Sequence, residues 1–204
     1  INPFDEPDVQ ASKDRTTTIL AAYETGTPMS ERASVAMDTG WTVFADLGRD
    51  EELAERQIGD GLDSWLSAHL GRARVPDYVA LQAFVARGPR TRRALQEIRR
   101  LLRERRGVAS TLGWGPEFLH STGQLHKGGP DHGVFLQITA DDAEDVEVPG
   151  TGYSFGRLAR AQSLGDLAAL EERGRRVLRV HLSEAASGAE ALLEAVDRGI
   201  TTAR

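Results

Sequence analysis

Between residues 76 and 182 the chain alternates strand-like and helix-like segments, and this alternation limits the possible folds more than any other feature of the sequence. Residues 78–85 (YVALQAFV) suit a strand. Residues 91–106 suit a helix, with Leu95, Ile98, Leu101 and Leu102 on one face and arginines on the other. A short strand is predicted at 108–112, a long Gly/Pro-rich loop at 113–130, and a strand at 133–139 (GVFLQIT). An acidic loop at 141–149, a helix at 154–173 broken near Gly165, a strand at 176–182 (RVLRVHL) and a helix at 187–198 complete the series. The order from 76 to 182 is β-α-β-β-α-β. It predicts a small α/β (α+β) sandwich of ferredoxin-like order with an antiparallel sheet. The direct passage between strands around the long loop favours this over a doubly wound parallel sheet.

Upstream of this unit the patterning is weaker. Asp5 is placed to cap a helix, and Pro7 falls in its first turn, where a missing N–H costs nothing. That helix is expected to run to about Tyr23. Its stretch from Ser12 to Thr18 is polar and makes a poor amphipathic face, so the segment is expected to pack into a larger domain. Gly26-Thr27-Pro28 reads as a linker, residues 41–45 (WTVFA) as a strand, and 50–70 as a helix with a weak point at Gly59 and Gly61. The expected divisions are 1–24, 25–75 and 76–204. The first residue is isoleucine, and the chain reads as a piece of a longer protein.

Composition excludes several kinds of chemistry. The chain has no cysteine, which removes disulfides, thiolate zinc sites and cysteine nucleophiles. Its formal net charge is -6, which argues against nucleic acid as a general partner. No apolar run approaches the roughly 20 residues that span a bilayer, and no signal peptide opens the sequence, so a cytoplasmic protein is expected. Of 25 basic side chains only Lys13 and Lys127 are lysines. An ammonium is a compact, strongly hydrated donor that a planar guanidinium does not reproduce, so both lysines draw notice.

Lys127 lies in the segment richest in chemistry, His120-Ser121-Thr122-Gly123-Gln124-Leu125-His126-Lys127-Gly128-Gly129-Pro130. Hydroxyls, an amide, imidazoles, an ammonium and glycines together suit an anionic oxygen, with a sugar phosphate as the natural guest. His120, Ser121, Thr122, Gln124 and Lys127 are the candidate binding residues; the rival reading is a hairpin connection whose polar side chains cap turns. The segment is not a Walker A loop, since its lysine precedes the paired glycines. His120, His126 and His132 recur every six residues, which places no pair at helical i, i+4, and no metal site is expected. Lys13 lies in the other segment, where Glu6, Gln10 and Lys13 share a face at the helix start.

The opening Asn2-x-Phe4-Asp5-x-Pro7-x-Val9-x(3)-Lys13 resembles the closing motif of phosphoglucose isomerases, which starts the last helix of their second sugar-isomerase domain. The family's active-site lysine corresponds to Lys13, its glutamine to Glu6 and its glutamate to Gln10. The remainder is similar to the C-terminal region of transaldolase/phosphoglucose isomerase fusion proteins, through 77–80, 111–116 (with Trp114 in place of Tyr), 120–130 and the ending 157–182. The resemblance implies interconversion of glucose 6-phosphate and fructose 6-phosphate without metal or organic cofactor. It assigns Lys13 a catalytic role and Glu6 and Gln10 a place in substrate binding. The base and the ring-opening histidine of the family lie upstream. The full-length parent is expected to be a homodimer, and the alternative is a non-catalytic domain that binds a sugar phosphate or braces the dimer.

Overall fold

A computed structural model describes residues 7–200. Its centre is a mixed six-stranded sheet: β1 (Ala36–Asp38), β2 (Trp41–Phe44), β3 (Tyr78–Phe84), β4 (Ala109–Trp114), β5 (Gly133–Ala140) and β6 (Arg176–Leu182), in the order β1-β2-β6-β5-β3-β4. The helices are α1 (Pro7–Glu24), α2 (Glu51–Arg56), α3 (Leu62–Leu70), α4 (Pro89–Leu101), α5 (Gly123–Gly128), α6 (Phe155–Glu172) and α7 (Ala185–Gly199).

The α/β class and the strand positions agree with the sequence, but the expected antiparallel, ferredoxin-like sheet is corrected. β3 pairs in parallel with both β4 and β5, and β5 pairs in parallel with β6. Only the β1–β2 hairpin, joined to β6 through β2, is antiparallel. The cause lies in the long connection after β4. It holds a 3-10 turn (Glu117–His120) and α5, and is long enough to carry the chain back across β3 as a crossover.

Parallel strands need cover on both faces. One face is dry: Leu81, Leu136 and Leu178 of the sheet join Leu66 of α3, Leu95 and Ile98 of α4, and Leu192 and Val196 of α7 in one continuous core. Each such side chain contributes about 1.5–3 kcal/mol when fully buried. The same core takes in Val43, Leu53, Leu62 and Trp65, so the strand and helices within 25–75 pack into this body. The weak point at Gly59 and Gly61 is real, and the predicted helix 50–70 divides there into α2 and α3.

The other face is covered by α6, with α1 and α5 packed against it. The polar character of α1 follows from how closely it docks. Gly165 in α6 lies against Ser12 and Thr16, and a Cβ there would meet Thr16 Oγ1 at 2.9 Å and the Ser12 carbonyl at 3.2 Å. Gly165 therefore serves helix contact, and α6 runs unbroken past it. Small side chains on α1 are what this approach requires, and a wide apolar stripe would keep the helices apart. No helix among the described residues is long and apolar enough to cross a membrane.

Two histidines are buried within this body. His69 lies between an arginine, which can only donate, and a carbonyl, which can only accept. Its Nδ1 accepts from Arg72 at 2.9 Å and its Nε2–H donates to the Phe135 carbonyl at 2.9 Å. Burial, and then the Arg72 charge, hold its pKa well below the ordinary value. Burial, and then the Lys127 charge, bring His126 down to about 4. Both are neutral in the native state at pH 7, while the unfolded chain takes up protons below about 6.5. Stability is therefore complete above that pH and falls as pH drops toward 4, by on the order of 3 kcal/mol for His126 alone. Urea midpoints measured from pH 7 to 4.5 should fall steadily, with a shallower fall in His126→Gln. A midpoint that holds or rises on acidification would contradict this.

Candidate functional site

The sequence-predicted residues divide between surface and interior. Glu6 lies outside the described residues. Gln10 and Lys13 are exposed on the outer side of α1, and the Gln10 amide donates to Asp14 at 2.7 Å. The base of α1 is fastened firmly. The Asp8 backbone N–H donates to Gln124 Oε1 at 3.1 Å, the Gln124 amide donates to Asp8 Oδ2 at 2.6 Å, and Arg173 closes on the other carboxylate oxygen. Arg15 and Glu172 add an ion pair further along the helix.

The 120–130 segment is helical rather than a hairpin loop. His120 and Ser121 are exposed. The hydroxyls of Ser121 and Thr122 donate to the Phe118 carbonyl at 3.3 and 3.4 Å, and Gln124 is engaged with Asp8. Helical geometry turns His126 and Lys127 inward. The Gln82 amide donates to His126 Nδ1 at 3.3 Å. Lys127 Nζ lies 2.5 Å from Asp166 Oδ1, with the lysine 1% and the aspartate 0% exposed. The expectation of Lys127 as the cation for a phosphate is therefore corrected, because its charge is matched by a buried carboxylate of α6. Burial raises the Asp166 pKa and the lysine opposes that shift.

Beneath these helices the sheet face is graded. Three register rows cross β3, β5 and β6: Ala80, Phe135 and Val177, then Gln82, Gln137 and Arg179, then Phe84, Thr139 and His181. The first row is apolar, the second carries buried amides and a guanidinium, and the third borders a cavity of about 380 Å³ outside the carboxyl ends of the strands. β3 and β5 feed helices to opposite faces, so the cavity adjoins a topological switch point, where α/β sheets hold their ligands.

A chain of polar contacts lines this cavity. His181 Nε2 lies 3.3 Å from Asp141 Oδ1, and its Nδ1 is 2.9 Å from the Thr139 hydroxyl. A carboxylate only accepts, so a neutral His181 carries its proton on Nε2 and Thr139 donates to Nδ1. The same hydroxyl accepts from Arg179 Nε at 3.4 Å. Arg179, only 2% exposed, pairs with Glu31 at 2.9 Å and stacks over Phe44. Burial draws its pKa down and Glu31 opposes the shift.

Sequence reading missed these residues, although a signal was present. Period-two spacing puts Val177, Arg179 and His181 on one face of RVLRVHL, and Gln82 and Gln137 sit inside otherwise apolar strands. In a sheet covered on both faces such residues are buried, and buried polar groups need partners.

No protein-family model matches the chain, and no curated protein matches it. Among solved structures it is similar to the hypothetical protein TT0462 from Thermus thermophilus, with a TM-score of 0.58 at 20% identity over 75% of this chain. The match spans 43% of that protein, less than half its length. This likeness shows a shared mixed α/β fold.

The buried pair is directly testable. Lys127→Met leaves Asp166 unmatched, and by denaturant unfolding at pH 7 it should cost about 3–5 kcal/mol. Lys127→Met combined with Asp166→Leu should recover most of that loss. A single variant within about 1 kcal/mol of the parent, as for an exposed pair, would contradict burial of the two charges.

Proposed function

We propose that this chain is the C-terminal part of a phosphoglucose isomerase, from a transaldolase/isomerase fusion, that works in the cytoplasm as a homodimer. The observation that supports this reading is the placement of Lys13. Of the two lysines, one is matched in the interior. The other is exposed, has no ion-pair partner among the described residues, and sits on a helix fastened at its base by Asp8, Gln124 and Arg173. A cation held that way is presented outward, available to an active site completed by the domain that precedes α1 in the resemblance.

Aldose–ketose isomerisation moves a proton between C1 and C2 through a cis-enediol, so negative charge grows on the sugar oxygen. In this reading the base acts from the preceding domain. The Lys13 ammonium stabilises the oxygen as its charge develops, which favours the transition state over bound sugar. Gln10, one turn before Lys13, is placed for a sugar hydroxyl. The 120–130 segment serves the reaction indirectly: Gln124 anchors α1 through Asp8.

In the full-length parent, Lys13→Arg should lower kcat about 10²-fold or more, the scale of losing one preorganised electrostatic contact. Its circular dichroism should not change, because the side chain is exposed. Turnover equal to the parent's would remove Lys13 from the mechanism and with it this assignment.

A further inference from the structure

β4 is an outermost strand of the sheet and pairs with β3 alone. Just past its end, the Gly115 N–H donates to the Ala83 carbonyl of β3 at 2.9 Å. Backbone groups alternate in direction along a strand, so Ala109, Thr111 and Gly113 turn theirs toward β3, and Ser110, Leu112 and Trp114 turn theirs outward. The Arg99 guanidinium agrees with that direction, since it reaches the Ser110 carbonyl from the α4 side at 3.0 Å. The outward N–H and C=O groups of Leu112 and Trp114 have no partner among the described residues. β4 runs for six residues in unbroken register and without proline, so its edge is a template for one more strand.

The surroundings of this edge are cationic. Residues 89–106 hold eight arginines and two glutamates, in a chain of net charge -6. A groove runs between this helical segment, which supplies Gln96, Arg99, Arg100 and Arg103, and the start of β4 at 108–110. Arg99 is bonded to Gln96 Oε1 at 2.9 Å and to Ser110, all neutral partners. The one carboxylate within reach of Arg103 is Glu104 at 3.9 Å, and Glu104 is already engaged by Arg100. Further along the edge, Leu112 and Trp114 pack against the dry core but are only half-buried. The edge therefore offers unpaired backbone groups, then arginines without carboxylates at one end and uncovered apolar side chains at the other.

We propose that the β4 edge is a docking surface for an extended acidic peptide of a partner protein, which joins the sheet as a seventh strand. Its backbone pairs with Ser110, Leu112 and Trp114. Side chains two residues apart share one face of a strand, so carboxylates at alternate positions meet Arg99 and Arg103, and an apolar residue in the same phase covers Leu112 and Trp114. A second copy of this chain is the poorer occupant. Two-fold pairing of β4 with its own copy sets the two arginine-rich α4 segments side by side, where like charges repel. The surface excludes Lys13 and is independent of the isomerase reading.

Fluorescence anisotropy with the 204-residue chain tests this. The probe is a capped, dye-labelled hexapeptide with glutamate at its first and third positions, valine at its fifth and threonine elsewhere. It should bind at submillimolar concentration, and more weakly as salt rises. Arg99→Gln combined with Arg103→Gln should weaken it about tenfold, the scale of two partly exposed ion pairs. N-methylation of alternate peptide amides leaves the protein untouched and reads the backbone pairing directly. Methyl groups in one phase of the alternation should abolish binding, and in the other phase should spare it. No binding of the hexapeptide, or equal effects of the two methylation phases, would overturn the proposal. A single-stranded RNA that binds more tightly than the peptide would make this a general polyanion surface. Dimers at micromolar protein that the peptide disperses would give the edge to a second copy, and either result also overturns the proposal.

Discussion

A sheet of parallel strands leaves neither face for water, and the rest of this structure answers that requirement. β3, β4, β5 and β6 run in one direction, so helices must lie on both sides. On one side α3, α4 and α7 meet the requirement with aliphatic packing. On the other, α6 covers the strands while α1 and α5 close over its flanks. The stretch 25–75 is drawn in by the same need: its hairpin extends the sheet beside β6, and Leu53, Leu62 and Trp65 complete the dry core.

The two faces are built on different physics. The dry face depends on area removed from water and tolerates changes that conserve volume. The other depends on pairing, because Gln82, Gln137, Arg179, Lys127 and Asp166 are all buried there. Each such group is costly unless matched, so this face has fewer acceptable arrangements. Its polarity rises toward the carboxyl ends of the strands, from Phe135 through Gln137 to Thr139. That gradient leads from a packed interior to a cavity lined by charged side chains.

Much of this was legible in the sequence. β6 lies where RVLRVHL placed it, and β3 and β5 end within one residue of their predicted limits. Strand direction was not legible, because it depends on whether the connection after β4 can cross the sheet, and α5 is too short to show a helical period among its glycines. The role of Gly165 was hidden for a related reason: a close helix contact looks like a helix breaker until the partner is known. For the site, the sequence pointed to the lysines, whose rarity made them visible. The arginines of the cavity were obscured by the many other arginines, although the strand periodicity of Arg179 and His181 marked them as inward-facing.

Packed against a shared core and against α6, α1, the 25–75 stretch and the parallel sheet should open as one cooperative unit. Hydrogen exchange followed by mass spectrometry across a urea series tests it segment by segment. Peptides from α1, β2, β3, β5 and β6 should lose protection at a common urea concentration, as parts of a single opening. Loss of protection in α1 or β2 at clearly lower urea, with β3, β5 and β6 still protected, would contradict the account and mark those segments as appendages to an independent core.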